Sequence, residues 1–312
     1  KVQSSQSAFS LGYITGNTGN NDSYGYFSAF GDFQFASGDT TYMCGDNVLL
    51  QGGYAMGYEW YFGGQLVGTS SSYEATEEGC YTLVMNQDPN IVTASTVVQR
   101  VNAGVISPAN QLLCSATATP ALLTVTGAVT PTGTQYQWQS SSTGAEGSWT
   151  NIATNATSAS YQPPALPTGA TIMYYRRGMT SIYCELAYTL PTAITTTAGT
   201  VTPASQIQCE SDATLFTPLT LTPTAAFPGA SYQWQKSDDN GATWANTGSG
   251  TITYQPLKYL LPPTSPGPAT LTNAYRCLVT SNACTVPTAA VTVSLSPCIV
   301  PANPHLRSRA VP

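Results

Sequence analysis

Charged side chains are scarce in this 312-residue sequence, since Asp, Glu, Lys and Arg make up only 8% of it, against about 25% in typical globular proteins. The formal net charge is −6, and Arg176-Arg177 is the only adjacent basic pair. Nucleic-acid binding needs a basic surface that neutralises phosphates, so we predict no nucleic-acid partner. A surface with so little charge must be covered by uncharged polar residues, and it offers little repulsion between neighbouring molecules.

Long apolar runs and clustered histidines are also missing. No segment contains 18 consecutive apolar residues, so we predict no membrane span. The single histidine, His305, lies in a Pro-rich stretch, which leaves no base for a nucleophile and no zinc site. The adjacent carboxylates Glu77-Glu78 and Asp238-Asp239 would point to opposite faces of a strand, whereas a glycosidase needs two that converge. We therefore predict that the protein is not an enzyme and that it uses no cofactor.

The sequence has instead an internal repeat of about 95 residues. The string A-G-x-x-x-P-A-x-Q-x-x-C starts at Ala103 and again at Ala198, and Y-Q-W-Q follows in both copies, at Tyr136 and Tyr232. A shorter, more divergent copy precedes them. The predicted organisation is an N-terminal Gly/Asn/aromatic extension (1–38), a divergent short domain (39–102, module 1), two repeats (103–197, module 2, and 198–298, module 3) and a Pro-rich tail or linker (299–312).

Each copy predicts an all-β domain. Short segments of β-branched and small residues alternate with Gly, Pro and Asn clusters, and the order Cys…Trp…Cys is typical of an immunoglobulin-like sandwich. We therefore predict tandem, disulfide-stapled immunoglobulin-like β-sandwiches with Trp60, Trp138 and Trp234 in their cores. Alternating apolar residues in 26–33 predict a strand that completes module 1 or adds to the sheet edge of a neighbouring molecule.

The eight cysteines form no C-x-x-C pair, which favours disulfides and an oxidising, extracytoplasmic compartment. The sequence starts with Lys rather than Met, and we interpret it as a processed mature chain or an excised piece of a longer one. Comparison of the copies predicts the bridges Cys44–Cys80, Cys114–Cys184 and Cys209–Cys284. For Cys277 and Cys298, which fall outside the shared pattern, we predict a bridge to each other, with pairing to another chain as the alternative.

The motifs A-G-x-I/V-x-P-A-x-Q-x-x-C, Y-Q-W-Q-x-S, W-x-N and Y-x-R-R resemble the Ig-like repeats of giant Bacteroidota cell-surface adhesins. Gliding-motility adhesins exported by the type IX secretion route are among them. The resemblance is good over 103–298 and weak over 39–102. It implies a long protein at the bacterial cell surface whose partners are adjacent repeat modules or copies of itself. A type IX sorting domain is not recognisable. Asp39-Thr40-Thr41 resembles the Bacteroidota O-glycosylation pattern, which makes Thr40 a candidate acceptor.

Residues 237–244, SDDNGATW, match the Asp-box of sialidase-type propellers. A repeat of about 95 residues is too long for a propeller blade, and Asn240-Gly241 suits a tight turn, so we predict a structural hairpin. The oxygen ligands of Asp238, Asp239 and Asn240 could attract calcium, but a bidentate Glu at the required spacing is missing and we predict no metal site. Trp149 and Trp244 either pack on their hairpins, the preferred interpretation, or present their rings to surface glycans.

These observations favour a non-enzymatic extracellular structural or adhesive protein, either a filament subunit or a stalk segment of a surface adhesin. The alternative is a set of glycan-binding accessory modules that belong to a secreted enzyme. The tandem repeat and the missing catalytic groups favour the first hypothesis, and the two hairpin tryptophans are the basis of the second.

Overall fold

The computed structural model describes residues 39–210, 212–258 and 270–297, and regular secondary structure in these ranges is entirely β-strand. No helix in this part of the chain is long and apolar enough to cross a membrane. The predicted N-terminal extension, the tail and Cys298 lie outside the described residues.

Module 1 is a two-layer sandwich of a five-stranded sheet, in the order β1-β7-β6-β3-β4, and a two-stranded sheet, β2-β5. Its larger sheet alternates inward and outward residues, as β6 shows with buried Tyr81, Leu83 and Met85. This alternation is typical of a sheet that covers a core on one face only. The strands are β1 (Asp39–Met43), β2 (Val48–Gln51), β3 (Gly57–Phe62), β4 (Gln65–Gly68), β5 (Ser72–Ala75), β6 (Gly79–Gln87) and β7 (Asn90–Arg100).

Module 2 repeats this plan with shorter strands. Its larger sheet has the order β12-β11-β13-β15-β9, with β14 paired to β13, and its smaller sheet is β10-β8. The strands are β8 (Val105–Ser107), β9 (Gln111–Leu112), β10 (Thr124–Thr126), β11 (Gln135–Ser141), β12 (Thr150–Asn151), β13 (Ile172–Thr180), β14 (Ala187–Tyr188) and β15 (Thr192–Thr195).

Module 3 has a larger sheet in the order β17-β24-β22-β19-β20, with β23 paired to β22, and a smaller sheet β16-β18-β21. The strands are β16 (Gly199–Thr202), β17 (Ser205–Cys209), β18 (Leu219–Pro223), β19 (Ser231–Ser237), β20 (Ala245–Ser249), β21 (Thr253–Tyr254), β22 (Leu271–Ser281), β23 (Cys284–Pro287) and β24 (Val291–Ser296).

All three modules share one unusual pairing within their larger sheets. The first strand of that sheet runs parallel to the last strand of the module, as β1 does to β7, β9 to β15 and β17 to β24. The other registered pairs in these sheets are antiparallel. This arrangement of two packed sheets confirms the predicted all-β fold of tandem immunoglobulin-like sandwiches.

Each sandwich core contains one tryptophan and two tyrosines in the same arrangement. The tryptophan is fully buried and its indole N–H donates to a backbone carbonyl, those of Ser70, Ser158 and Thr251 in turn, at 2.9 to 3.0 Å. The ring centroids of successive members are 5.7 to 6.2 Å apart. We name these groups the core triads: Trp60–Tyr73–Tyr81, Trp138–Tyr161–Tyr175 and Trp234–Tyr254–Tyr275.

Contacts divide the chain into two compact units whose limits do not follow the sequence repeat. Among the described residues, one unit joins those up to Val105 to Thr126–Gln137 and Arg177–Thr189, and the other contains Ile106–Val125, Trp138–Arg176 and those from Leu190 onward. The segment 177–189, which includes the hairpin after β13, therefore belongs with module 1 although the repeat assigns it to module 2.

Candidate functional site: disulfide bridges between successive repeats

Two disulfides each connect one module to the next. Cys44 of module 1 is bonded to Cys184 of module 2, with Cα atoms 5.6 Å apart. Cys114 of module 2 is bonded to Cys284 of module 3, with Cα atoms 5.4 Å apart. Both separations fall within the usual range for disulfides. Each bridge lies inside one compact unit, the first in the unit that contains module 1 and the second in the other.

The two bridges use the same two positions of the repeat. Cys44 directly follows β1 and Cys114 lies two residues after the end of β9, the first strand of the larger sheet in each module, and we call these the first-strand cysteines. Cys184 and Cys284 lie in the hairpin after the long strand β13 or β22, and we call these the hairpin cysteines. The rule is that a first-strand cysteine pairs with the hairpin cysteine of the following module.

The predicted bridge Cys209–Cys284 is wrong, because the two residues lie at opposite ends of module 3. Cys209 is in register with Ser296 at the end of β24, whereas Cys284 is in register with Ser281 at the end of β22. Strand β22, 11 residues long, runs from one end to the other. At about 3.3 Å per residue this separates the two ends by about 30 Å, while a disulfide needs Cα atoms within about 7 Å.

The predicted bridge Cys44–Cys80 is wrong for a similar reason. Cys80 pairs with Val97 on β7, and Val97 pairs in turn with Thr40 on β1, four residues before Cys44. The offset along the strands is therefore about 13 Å. Cys80 is exposed and carries a free thiol. The predicted Cys114–Cys184 bridge is also replaced, since both residues are used in the links to neighbouring modules.

Cys277 is a buried free thiol, which corrects the prediction that it pairs with Cys298. It lies on β22 directly opposite Trp234, inside the module 3 core, and burial raises its pKa to about 11. The same position of module 2 is occupied by Arg177, which is also buried; its guanidinium lies 4.2 Å from the Tyr136 ring centroid and donates to the Ala103 carbonyl at 3.1 Å.

The core triads explain why neither of the two disulfides among the described residues crosses the interior between the sheets. In antibody domains a disulfide packs against the tryptophan. Here that space is filled by two tyrosine rings, such as Tyr161 and Tyr175 beside Trp138. Burial raises the pKa of Tyr175 to about 12, so the phenol stays neutral in this apolar setting. The four bonded cysteines lie instead at the ends of the modules, where they connect repeats.

The two hairpin tryptophans are covered by arginines. The guanidinium of Arg176 lies 4.4 Å from the Trp149 ring centroid, and that of Arg276 lies 4.1 Å from the Trp244 centroid. Each arginine also donates its Nε–H to a glutamine side chain on the adjacent strand, at 2.8 and 2.9 Å. One face of each indole is therefore occupied by a cation–π contact, in agreement with a packing role. Both rings are half-buried.

The Asp-box segment forms a tight turn that is stabilised by its own side chains. Asp239 accepts hydrogen bonds from the Ser237 hydroxyl at 2.7 Å and from the Thr243 backbone N–H at 2.8 Å and hydroxyl at 2.5 Å. The bonds from Thr243, then that from Ser237, lower the pKa of Asp239 to about 2. Asn240 and Gly241 adopt positive φ values of 57° and 92°. The carboxylate oxygens of Asp239 are thus engaged in hydrogen bonds within the turn. Among the described residues, no group of three or more His, Cys, Asp and Glu side chains could hold a metal ion.

The candidate O-glycosylation residue Thr40 is exposed on β1, at the outward row that also contains Val97 and Cys80. The neighbouring Thr41 hydroxyl instead bonds that of Thr96 at 2.7 Å. Of the two threonines, Thr40 is therefore the one accessible to a modifying enzyme.

A family model described as Domain of unknown function (DUF8696) matches the chain twice, over residues 102–198 and 197–297. No curated protein matches it. Solved structures that resemble the chain include immunoglobulin domains 1–4 of Sidekick-1, with 16% identity over 85% of this chain and 73% of that one, at a TM-score of 0.28.

The N-terminal eight Ig domains of Down Syndrome Cell Adhesion Molecule match with 14% identity over 83% of this chain and 35% of that one, at a TM-score of 0.26. Extracellular domains 3–5 of Drosophila OTK match with 11% identity over 86% and 98%, at a TM-score of 0.24.

Proposed function

The chain belongs to the family described as Domain of unknown function (DUF8696), and we propose that it is a non-enzymatic extracellular structural or adhesive protein. In this proposal it is a filament subunit or a stalk segment of a bacterial surface adhesin, built from modules 39–102, 103–197 and 198–298. Its partners are adjacent modules or further copies of itself.

The observation that carries the proposal is that the disulfides connect successive repeats. Domains joined by flexible linkers move relative to one another by default. A covalent bond from the first strand of one module to a hairpin of the next restricts that movement at two joints. Such restriction is useful in a stalk or filament that must transmit tension or hold a tip away from a surface.

The composition supports the same proposal. Only 8% of the residues are charged, so little repulsion opposes lateral or end-to-end contact between copies. We propose that residues 1–38 contribute a strand to module 1 or to a neighbouring molecule. The resemblance of the motifs to Bacteroidota adhesins makes a bacterial cell surface the proposed location, with type IX secretion as the proposed export route and Thr40 as a proposed glycan acceptor.

Electron microscopy of the full chain tests this proposal. The oxidised protein, the protein treated with dithiothreitol and capped with iodoacetamide, and a Cys80→Ala variant would be compared in negative stain. We expect extended rods or fibres from the oxidised protein and from the variant, and bent, irregular particles after reduction, because only reduction removes the bridges. Compact particles of the same outline in all three samples would contradict the proposal.

The alternative function is glycan binding by accessory modules, and it is favoured by Trp149 and Trp244. The two half-buried rings recur at equivalent hairpins, and their uncovered surface could stack on a sugar. The test is a polysaccharide and glycan array with the full chain and with a Trp149→Ala/Trp244→Ala variant. Binding that disappears in the variant would support this alternative, and no binding by the unmodified chain would exclude it for the glycans on the array.

A further inference from the structure

Among the described residues, the smaller sheet of module 1 has one strand fewer than that of module 3. In module 3, β16 lies antiparallel along one edge of β18, with Thr200 opposite Thr222 and Thr202 opposite Thr220. In module 2, β8 takes the same place beside β10. The described part of this sheet in module 1 contains only β2 and β5, so no described strand covers the corresponding edge of β2.

A shared hydrogen bond identifies the equivalent positions of β2 and β18. The Gly52 N–H donates to the Ser71 carbonyl at 2.8 Å. The Leu221 N–H donates to the Ile252 carbonyl, also at 2.8 Å. Each acceptor lies two residues before the first tyrosine of its core triad. Gly52 in module 1 is therefore the equivalent of Leu221 in module 3.

The residues on either side of Gly52 direct their N–H groups toward the uncovered edge. In an antiparallel pair, successive residues alternate between bonding to the partner strand and pointing away from it. Because Gly52 bonds toward β5, the N–H groups of Gln51 and Gly53 point away from β5. Their equivalents in module 3 are Thr220 and Thr222, which β16 covers. The edge of β2 thus offers an incoming strand the same donors that β16 meets on β18.

The position of β16 along the chain can be transferred to module 1 through the larger sheet. On β1, Thr41 lies opposite Val98, two residues beyond the partner of the last tyrosine in the core triad. On β17, Gln206 lies opposite Val293, two residues beyond the partner of the corresponding tyrosine. Thr41 and Gln206 are therefore equivalent, and the counterpart of β16 in module 1 is the segment 34–37.

The sequence of residues 34–37, Gln-Phe-Ala-Ser, suits this edge. The register of module 3 would place Ala36 opposite Gly52. A Cβ at Gly52 would lie 2.9 Å from a Leu83 methyl carbon and 3.1 Å from the Tyr58 ring. The core beside Gly52 is therefore already filled, and a small residue such as alanine is the kind of residue that fits there.

The other two residue pairs of this register lie on the outward face. Phe35 would lie opposite Gly53, and an aromatic ring across from a glycine covers backbone that the glycine leaves exposed. Ser37 would lie opposite Gln51, which is exposed. The carbonyls of Phe35 and Ser37 would accept hydrogen bonds from the two N–H groups that point away from β5.

From this register we propose that residues 34–37 of this chain dock on the uncovered edge of β2 as the first strand of module 1. The occupant is the chain's own segment, because Ser37 is two residues from Asp39, where β1 begins. Such a short connection gives the segment a high effective concentration at the edge, and a strand from a neighbouring molecule would have to displace it. This inference deepens the proposal that residues 1–38 contribute a strand. Module 1 can be completed in this way whether or not the chain forms rods, so the two proposals can fail separately.

Hydrogen exchange, measured by NMR on the full chain, tests the pairing. We expect the amide protons of Gln51 and Gly53 to exchange about as slowly as that of Gly52. Phe35→Pro should accelerate exchange at both residues by about tenfold or more, while Gly52, which bonds to β5, stays protected. Phe27→Pro makes the same change outside the segment and is the matched control. Fast exchange at Gln51 and Gly53 in the unmodified chain, or no acceleration in Phe35→Pro, would overturn the proposal.

A cross-link distinguishes the chain's own segment from that of a neighbouring molecule. Ser37→Cys/Gln51→Cys places two cysteines opposite each other, with Cα atoms about 5.5 Å apart, which suits a disulfide. The variant also carries Cys80→Ala, which removes an exposed free thiol. Oxidised glutathione takes two electrons from the two thiols, together with their protons, and is reduced to two glutathione molecules as the disulfide forms. We expect mass spectrometry of an unreduced digest to find this disulfide in monomeric protein.

The matched control for the cross-link is Ser37→Cys/Leu49→Cys in the same background. It moves the second cysteine two residues along β2, about 7 Å away, so the yield of the disulfide should be several-fold lower. Equal yields from the two variants would refute the register. A disulfide found only between molecules would assign the edge to a neighbour's strand, and this result would overturn the proposal as well.

Discussion

The bridge between modules 2 and 3 allows a quantitative test of the disulfide order. Cys114 and Cys284 are separated by 170 residues. In the chain-entropy model, closing a loop of this length restricts the unfolded chain by about 5 kcal/mol at 25 °C, and removal of a native disulfide typically costs about 2–5 kcal/mol. A Cys114→Ala/Cys284→Ala variant is therefore expected to lose 2 kcal/mol or more in its free energy of unfolding.

The assay is urea unfolding followed by tryptophan fluorescence, with the 5 tryptophans as probes. Cys80→Ala is the informative control, because Cys80 is an exposed free thiol and its loss should change the unfolding free energy by less than about 0.5 kcal/mol. In a chain with the pairing Cys44–Cys80, the same substitution would break a bridge. A loss above about 2 kcal/mol in Cys80→Ala, or less than about 1 kcal/mol in the double variant, would refute the order of bridges described above.

Three further predictions concern single side chains. Trp234→Ala should destabilise module 3 by about 3–5 kcal/mol, measured by urea unfolding, since it empties a fully buried site; a loss no greater than that of Trp244→Ala would argue against the core triad. The Asp239 turn should be stabilised fully above about pH 4, the ordinary pKa of Asp, and should lose this stabilisation as pH falls toward 2, because the pKa is lower in the folded state. NMR titration of the Asp239 carboxyl should follow this course, and an ordinary pKa would contradict it. If Thr40 carries a glycan, Thr40→Ala should lower the intact mass of protein from the native host by the mass of that glycan in addition to the difference between Thr and Ala, and a fall equal to the Thr-to-Ala difference alone excludes the modification.

Much of the fold could be predicted from the sequence because the repeat supplies three versions of the same pattern. Trp138 and Trp234 occur in identical Y-Q-W-Q segments, and a recurring tryptophan flanked by strand-forming residues is typical of a sandwich core. The turn at Asn240-Gly241 could also be predicted, since these residues favour positive φ. Such features depend on local sequence and on alternation, both of which are visible in a single chain.

The disulfide order could not be predicted in the same way. The alignment of Cys114 with Cys209 and of Cys184 with Cys284 identifies equivalent positions, but equivalence fits bridges within a module and bridges to the next module equally well. The deciding information is the parallel pairing of β17 with β24, which places Cys209 at the opposite end of the sheet from Cys284. The sequence did contain one relevant signal, a tyrosine that recurs at equivalent positions as Tyr175 and Tyr275. Both are buried in the same core clusters as Trp138 and Trp234, where an internal bridge would need space.

The two bridges also form loops that overlap within module 2. One loop spans 140 residues and ends at Cys184, and the other spans 170 residues and starts earlier, at Cys114. If module 1 and the first part of module 2 unfolded under tension, the 140-residue segment could reach about 480 Å without the first bridge. With both bridges intact, neither segment can extend to this length. Because the two loops share residues 114–184, both restrictions on extension act on module 2. Salt and moderate pH changes leave disulfides intact. Disulfide connections between modules therefore suit a chain with few charges, and they respond to reductants rather than to ionic strength.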